Sequence, residues 1–580
     1  MSTSTTTAVV VTPKNSTTTH TTESSPMDTI NYSYCDASLD DNGILTVSEE
    51  VCSRSLLAFV PKSQHSEAKL SKNKDDEDVA HISFSWLVER LPRYANFVIN
   101  DASFSDDHDV MGFLRSLVPY VDMSFFDEKK NITRGDYYVY IVNVMKSENP
   151  YVSDLDGNVS KVVGCYVQQS LFGSVLAIQQ QKSFAIDNDI RVVRSRTGIM
   201  ANKIDADELP LRKATSDVVK RKANEVKKRF ETYSPTQYRE YNGVCYTSGF
   251  MGSTVEHFLS EDRVIVDSYA LKKVNMSQLQ NLIELFHDGG MDENRSSTVD
   301  AILRSGDHNI ATMVDEVVFF DIHNKRWFIG HYDKLSPVHY SEDAFDKLIL
   351  DNSKKEKLKA IATSKNVADT DIIRGKGSNA IFLLHGAPGT GKTLTAEALA
   401  DYMNRPLYKV SLGELGTAVD ELEKSLERIL QLCERWNAIT LIDEADVFLE
   451  ERNSDNLERN AMVAVFLRML EYYSGILFLT TNRASKFDMA FISRITLAIH
   501  YKRPDMVELW KMLLENSHID FDQDSVDKLV DHNINGRQVK SVINTSKAIA
   551  KYRNTDVSMD IVLDSLKEAV EFSEFIENSK

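Results

Sequence analysis

The chain has 580 residues, of which 42% are hydrophobic, and a formal net charge of −19. A chain of this length can bury more than one core, so we expect about two to four domains. The acidic balance argues against a broad basic surface for phosphate backbones, and no nucleic-acid partner is expected. The five cysteines show no CxxC pair or zinc-ligand spacing, which indicates a reducing compartment and no structural zinc.

No uninterrupted apolar stretch is long enough to span a bilayer, and the Ser/Thr-rich start lacks a basic region followed by an apolar one. We therefore expect a soluble intracellular protein, in the cytoplasm or alternatively the nucleus. The low-complexity start has too few large apolar residues to offset the conformational entropy lost on folding. A disordered tail is therefore predicted over residues 1–80.

Residues 81–340 have a globular composition and are predicted to form one mixed α+β domain. The predicted elements, in chain order, are a helix at Trp86–Leu91, alternating apolar segments at Tyr137–Val144 and Val162–Val167, a basic amphipathic helix at Ala214–Phe230, a strand at Arg263–Asp267 and a hairpin turning at Asn324. The Lys/Arg cluster on the basic helix is interpreted as an exposed face, with an acidic partner as the alternative.

From Ser341 the pattern changes to a helical linker (341–371), an α/β core (372–503) and a helical lid (504–580). Strands are predicted at Ala380–Leu384, Leu407–Val410, Ala438–Ile442, Ile476–Thr480 and Thr496–Tyr501, and lid helices at Met506–Leu514, Ser525–Val530, Gln538–Lys551 and Ile561–Phe572. Strands that alternate with helices build a parallel sheet covered on both faces, with ligands at the carboxyl ends of its strands.

The segment GAPGTGKT, at 386–393, lies between the first of these strands and a helix, which is the context of a phosphate-binding P-loop. Its glycines let backbone N–H groups point at phosphate oxygens, Lys392 reaches the β- and γ-phosphates, and Thr393 offers its hydroxyl to Mg²⁺. A glycine-rich turn without a ligand is the alternative. The residues expected to bind ATP are Gly386, Ala387, Pro388, Gly389, Thr390, Gly391, Lys392, Thr393 and Leu394.

Carboxylates follow the third strand abruptly, at Asp443 and Glu444. This position places them beside the P-loop, where Asp443 suits the Mg²⁺ shell and Glu444 can deprotonate the attacking water. Asn482 follows the next strand and can hydrogen-bond the water or γ-phosphate. Taken alone, Asn482 is typical of a turn and Arg494 of a protein surface.

The segments GAPGTGKT, LIDEAD, LTTN and AFISRI resemble, in order and spacing, the AAA family of ATPases (AAA+ superfamily) from about Ile372 to the C-terminus. The chain is similar in particular to fungal-type AAA ATPases with an uncharacterised N-terminal domain. The resemblance implies that Asn482 is the first sensor, Arg494 an arginine finger acting on a neighbouring subunit, and Arg537 the second sensor on the lid. It also implies a homo-oligomer, a hexameric ring, and adenine near residues 371–373; Arg459 and Arg483 are lower-ranked alternatives for the cationic roles.

The stretch VSLGELGTAVDELEK has no aromatic residue between Ser411 and Lys424, where protein-threading AAA members carry one that grips polypeptide. Threading of a client through a pore is therefore not predicted. We expect Mg²⁺-dependent ATP hydrolysis that remodels a macromolecular partner, and the expected partner is a protein. The alternatives are a low-turnover ATP-dependent switch or scaffold, and a nucleic-acid motor, which the acidic charge disfavours.

Overall fold

The computed structural model describes residues 37–40, 42–48, 50–60, 68–72, 78–127, 129–170, 173–186, 189–231, 236–248, 255–268, 270–271, 291–298, 303–341, 343–363, 380–416, 418–446, 457–482, 489–532 and 534–578. The chain divides into two compact units. The first comprises Met1–Ser183, Val193–Lys228 and Leu303–Met313, and the second Phe184–Val192, Arg229–Ile302 and Val314–Lys580. This division differs from the single domain predicted over 81–340, because the second unit also contains strands from the middle of the chain.

The strands are β1 Ala37–Leu39, β2 Ile44–Val47, β3 Ala68–Lys72, β4 Asp78–Ser83, β5 Asn131–Thr133, β6 Tyr151–Ser153, β7 Val159–Ser170, β8 Gly173–Ile186, β9 Asp189–Ile199, β10 Lys203–Asp205, β11 Arg212–Lys213, β12 Gln237–Ser248, β13 Val255–Val266, β14 Met291–Thr298, β15 Glu316–Asp321, β16 Arg326–His331, β17 Leu335–Ser336, β18 Ala380–Gly386, β19 Leu407–Val410, β20 Ile439–Ile442, β21 Ile476–Thr481 and β22 Leu497–Tyr501.

The α-helices span Glu50–Phe59, Phe84–Glu89, Leu91–Asn100, Ala102–Ser105, His108–Leu117, Ser124–Asp127, Arg134–Lys146, Ser216–Glu231, Asp307–Ala311, Asn352–Thr363, Lys392–Tyr402, Leu412–Leu415, Val419–Arg435, Leu457–Tyr472, Met489–Ile492, Met506–Glu515, Gln523–Val530, Gly536–Arg553 and Met559–Asn578. Within the described residues, no helix combines the length and apolar character needed to cross a membrane.

The first unit begins with an antiparallel sheet, β1-β2-β4-β3, that packs against helices. Leu45 and Val47 of β2 and Cys52 of the following helix are completely buried in its core. The chain is therefore structured well before residue 80, where the tail was predicted to end. The apolar residues of ILTV and the helix EVCSRSLLAF supply the buried surface that the Ser/Thr-rich start lacks.

The segment Tyr137–Val144, for which the sequence shows apolar alternation, lies in the helix Arg134–Lys146 and not in a strand. A capping box starts this helix: the hydroxyl of Thr133 accepts from the backbone N–H of Asp136, whose carboxylate accepts from the backbone N–H of Thr133. The helix is buried on nearly all sides, so its apolar residues follow no amphipathic period. The other predicted elements of this region are confirmed, including the basic helix, seen at Ser216–Glu231.

The second unit contains an antiparallel sheet in the order β13-β15-β16-β12-β17. The predicted strand at Arg263–Asp267 forms the end of β13, and the predicted hairpin is β15–β16, with Lys325 at φ 55° in its turn. We call this sheet the antiparallel module.

The same unit contains a parallel sheet in the order β19-β20-β21-β18-β22, which confirms the predicted α/β fold. All five predicted strands are present. Phe382 of β18 and Phe478 of β21 lie in the core between this sheet and the helices that cover it. The last four helices form a bundle with its own core around Trp510 and Leu566, as the apolar spacing of the lid predicted.

The antiparallel module packs against the parallel sheet and the helix Val419–Arg435. The side chain of Asp267, at the end of β13, is completely buried. It accepts hydrogen bonds from Arg435 Nε at 2.5 Å and Nη2 at 3.0 Å, and from Trp436 Nε1 at 2.9 Å. The rings of Phe320 and Trp436 lie 5.1 Å apart beside this carboxylate. A buried charged contact and aromatic packing thus join the two sheets.

Candidate nucleotide site

The P-loop connects β18 to the helix Lys392–Tyr402. Gly391 precedes the helix with φ 92°, a left-handed conformation that suits glycine, and no side chain caps the helix start. The first backbone N–H groups of a helix lack intrahelical acceptors and carry the positive end of the helix dipole. The geometry of this turn is therefore that of an anion-binding site.

Lys392 is 7% exposed and lies at the centre of the loop. Its ammonium donates to the carbonyl oxygens of Gly386 and Ala387, both at 2.8 Å, and to Asn482 Oδ1 at 2.9 Å. Removal from water lowers the pKa of Lys392, while the nearby Asp443 opposes that shift. The P-loop lysine and the predicted first sensor are thus in direct contact.

Asp443 follows β20, whose four residues are all buried. Its carboxylate accepts from Thr393 Oγ1 at 3.2 and 3.3 Å, from Thr480 Oγ1, and from Lys409 Nζ at 2.9 Å. Burial raises the pKa of Asp443, but the hydrogen bonds from Thr480 and Lys409 outweigh it, and the net pKa lies below the ordinary value. Asp443 is therefore held as a carboxylate beside the Thr393 hydroxyl.

Glu444 has φ 56°, a left-handed backbone conformation that costs a non-glycine residue about 1–2 kcal/mol. Its N–H donates to Thr480 Oγ1 at 3.0 Å, and the N–H of Ala445 donates to the Thr480 carbonyl at 2.9 Å. These bonds from the neighbouring strand stabilise the turn and leave the Glu444 side chain exposed at the cavity. Sequence reasoning missed the role of Thr480, although a polar residue in the buried strand ILFLTT is a usable signal.

The lid approaches the P-loop at the start of the helix Gly536–Arg553. A Cβ on Gly389, which has φ 75°, would lie 2.8 Å from Asn535 Oδ1, and one on Gly536 would lie 2.6 Å from the Gly389 carbonyl. Asn535 caps the helix by accepting from the N–H groups of Arg537 and Gln538 at 3.0 and 3.1 Å. This close packing places the exposed Arg537 on the cavity wall.

A cavity of about 350 Å³ lies between the P-loop and the lid. The predicted residues at its wall are Pro388, Gly389, Thr390, Gly391, Lys392, Thr393, Leu394, Asp443, Glu444, Asn482 and Arg537. Apolar side chains also line this cavity, among them Leu348, Leu350, Leu509, Met512 and Leu513. Sequence reasoning did not assign this wall, and residues 371–373 and Arg483, which it considered, lie outside the described residues.

Arg494 does not line this cavity. Its Nη1 donates to the Ala490 carbonyl at 2.8 Å and its Nη2 to Glu471 Oε2 at 3.3 Å, while its buried Nε has no hydrogen-bond partner in the described part of the chain. Within this chain, the guanidinium is therefore separate from the other predicted site residues. Arg459, on the helix Leu457–Tyr472, does not line the cavity either.

The donor groups fit a magnesium nucleotide. The cavity combines the uncapped N–H groups of the P-loop helix and buried Lys392, which suit phosphates, with apolar lining side chains that suit a base. Thr393 and Asp443 supply hard oxygen atoms, which Mg²⁺ prefers, and Asp443 is ionised.

A parallel sheet with this phosphate loop after β18, and with an acidic pair after β20 at the same sheet edge, one strand removed from β18, defines a P-loop nucleoside triphosphatase fold. Residues 382–503 match the family model described as "ATPase family associated with various cellular activities (AAA)". The chain therefore carries an AAA domain, which in general implies nucleotide binding and ATPase activity.

The relatives found by sequence are distant. The chain is 27% identical over 191 residues to "ATPase family AAA domain-containing protein 3A homolog" of Drosophila melanogaster, covering 31% of each chain. It is 28% identical over 212 residues to "Putative 26S proteasome regulatory subunit homolog" of Methanothermobacter thermautotrophicus, covering 34% of this chain and 56% of that one. The chain thus spans about a third of the length of the first of these relatives.

One solved structure, "Structure of E. coli MS115-1 HORMA:CdnC:Trip13 complex", is 20% identical, with a TM-score of 0.29, over 39% of this chain and 85% of that chain. The TM-score is too low for any argument from that structure.

Proposed function

We propose that this protein binds ATP with Mg²⁺ in the cavity between P-loop and lid, hydrolyses it, and uses the resulting motion to remodel a protein partner. The observation that supports this function best is the convergence of Lys392, Asp443, Glu444 and Asn482 on one cavity that the lid closes with Arg537. A structural turn would not require a buried ammonium, an ionised carboxylate and a left-handed glutamate at one sheet edge.

In the proposed reaction, Glu444 accepts a proton from a water molecule as its oxygen attacks the γ-phosphorus. The bond from that phosphorus to the β–γ bridging oxygen breaks, and ADP and inorganic phosphate leave. Bound Mg²⁺ would neutralise charge on the β- and γ-oxygens. Thr393 and Asp443 would hold the ion and its water ligands.

Lys392 must exchange partners when a triphosphate binds. The two carbonyls that it contacts belong to the P-loop, while Asn482 belongs to the neighbouring strand. If the ammonium turns to the γ-phosphate, Asn482 is released to bind the attacking water or a phosphate oxygen. This shared contact supports the proposal that Asn482 senses the state of the nucleotide.

Arg494 is proposed to act on the ATP of an adjoining copy. Its side chain is 31% exposed and contacts Glu471 only at 3.3 Å, so the exposed part of the guanidinium can contact a neighbouring copy. An arginine supplied by a neighbour stabilises negative charge in the transition state. Activity would then depend on assembly, in keeping with the rings that AAA proteins commonly form.

The antiparallel module is proposed as the lever that carries motion to the client. It contacts the segment that in threading proteins forms the pore loop, because Lys325 pairs with Glu414, whose carboxylate also accepts from Tyr408 Oη at 2.5 Å. It also contacts the end of the P-loop helix, where Arg263 pairs with Asp401. These contacts connect the module to the segment after β19 and to the end of the P-loop helix. Motion of these two parts on nucleotide binding and hydrolysis is proposed to pass through the module to the client.

Steady-state hydrolysis of Mg·ATP, measured across protein concentration, tests the proposal. We expect turnover per subunit to rise with concentration as copies assemble, and Glu444→Gln to lower it about 100-fold while ATP still binds. Glu568→Gln, an exposed residue on the last lid helix, is the matched control and should retain wild-type turnover.

Equal turnover in Glu444→Gln and wild type would remove Glu444 as the base. Binding of ATP with negligible turnover at every concentration would favour a switch or scaffold. The Glu444→Gln variant can then be used with ATP to capture the client.

A further inference from the structure

Lys409 forms an ion pair with the carboxylate that is proposed to hold the metal shell. Its Nζ lies 2.9 Å from Asp443 Oδ2, and its side chain is 52% exposed against 19% for Asp443. The pair lines the wall of the nucleotide cavity. The ammonium of Lys409 therefore occupies one oxygen of Asp443, the carboxylate that Mg²⁺ and its water ligands would need.

The sheet geometry places this lysine there. β19 pairs in parallel with β20, so that Lys409 lies opposite Leu441 and Val410 opposite Ile442, one residue before Asp443. Tyr408 and Val410 are buried while Lys409 between them is exposed, since side chains alternate across a strand. Lys409 consequently projects beside the carboxyl end of β20.

We propose that Lys409 is a positioning residue that competes with Mg²⁺ for Asp443 and thereby sets the magnesium concentration at which the site binds ATP. This inference rests on the function proposed above. Without the divalent ion, Lys409 neutralises Asp443. Thr393 and Asp443 would hold Mg²⁺ and its water ligands, and Lys409 would have to leave the Asp443 carboxylate for the ion to be held there.

Glu397 is the carboxylate that would receive the displaced ammonium. It lies on the P-loop helix and lines both the nucleotide cavity and a second cavity of about 880 Å³, as Lys409 does. The pKa of Glu397 is raised by burial, and the charge of Lys409 is the largest influence against that rise. Because both side chains line the same two cavities, Lys409 can turn from Asp443 toward Glu397.

The test is the binding of a non-hydrolysable ATP analogue to the full chain over a series of free Mg²⁺ concentrations. We expect Lys409→Met to reach half-maximal binding at a Mg²⁺ concentration about fivefold lower than wild type, because the competing cation is gone. Lys409→Arg, which keeps the charge, should remain close to wild type. The shift should shrink at high ionic strength.

Glu397→Gln provides the complementary variant. Without its second carboxylate, Lys409 should stay on Asp443, and half-maximal binding should need more Mg²⁺ than in wild type. In the Lys409→Met background, the same substitution should have no further effect. Thermal unfolding gives a second measurement: Lys409→Met should be less stable than wild type without Mg²⁺, and should gain more stability when Mg²⁺ and the analogue are added.

An unchanged or higher Mg²⁺ requirement in Lys409→Met would overturn the inference, as would a loss of analogue affinity at saturating Mg²⁺, which would make Lys409 a phosphate ligand. Both results leave nucleotide binding by the wild type intact. If the wild-type chain bound no analogue at any Mg²⁺ concentration, the proposed function and this inference would both be wrong.

Discussion

The buried carboxylate of Asp267 provides a quantitative prediction about how the antiparallel module is attached. Asp267→Ala would remove the acceptor of two hydrogen bonds from Arg435 and one from Trp436. It would also remove the acceptor for the backbone N–H of Ala270, at 3.0 Å. Because Asp267 is completely buried, water cannot easily replace these bonds.

The size of the expected loss in the free energy of unfolding depends on how exposed the two side-chain donors, Arg435 and Trp436, are to water. A hydrogen bond to a charged group contributes about 1.5–3 kcal/mol, and a buried donor left unpaired costs about 1–3 kcal/mol. The Arg435 side chain is 31% exposed and can regain water, so its share is reduced. The indole N–H of Trp436 is buried and cannot. We expect Asp267→Ala to lower the free energy of unfolding of the second unit by about 3 kcal/mol.

Urea denaturation followed by tryptophan fluorescence measures this effect. Trp327 and Trp436 lie in the contact, with ring centroids 6.2 Å apart, so their emission reports its loss. Glu261→Ala, an exposed position on the same strand β13, is the control and should unfold within about 0.5 kcal/mol of wild type. If Asp267→Ala also unfolded within that margin, with unchanged emission, the carboxylate would not hold the two sheets together.

Three further predictions concern other parts of the molecule. Arg494→Ala should lower kcat about 1000-fold with little change in KM, and a loss of ATP affinity without a loss of kcat would contradict a role in the transition state. Desolvation and the neighbouring His500 lower the pKa of His385 from 6.5. Because the unfolded chain then binds the proton more readily than the folded chain, stability should fall as pH drops below about 6.5. His385→Asn should reduce this loss, measured as the difference between the unfolding midpoints at pH 5.5 and 7.5. An equal loss in the variant and in the wild type would refute this role of His385. Gly135→Ala would place a Cβ 2.3 Å from the backbone nitrogen of Asn96. The free energy of unfolding of the first unit should therefore fall by about 1–3 kcal/mol, measured by thermal unfolding, and an unchanged midpoint would contradict this packing.

The C-terminal half was predictable from sequence because its local signals agree with one another. Gly386 to Thr393 follow a buried strand, and Asp443 follows another, so chain order alone predicted that they meet at one sheet edge. The lid helices were predicted by their apolar spacing because each buries only one face.

Other features of the fold and of the candidate site could not be predicted from the sequence, because they depend on contacts between residues that are distant in the chain. The apolar alternation of Tyr137–Val144 did not indicate the helix found there, because a helix buried on nearly all sides carries no amphipathic period. The apolar cavity wall combines Leu348 with Leu513, which are distant in sequence, and no local motif indicates that pairing. The Lys409–Asp443 contact depends on the pairing of β19 with β20, so the lysine has no significance until the sheet order is known.

Direct binding of Mg·ATP to the purified chain, by equilibrium dialysis, tests the central claim most directly. We expect saturable binding of about one ATP per chain, and an affinity about 100-fold lower in Lys392→Ala, whose buried ammonium is the main positive charge at the phosphate end. Absence of saturable binding by the wild type, or equal affinity in Lys392→Ala when that variant is folded, would contradict the account.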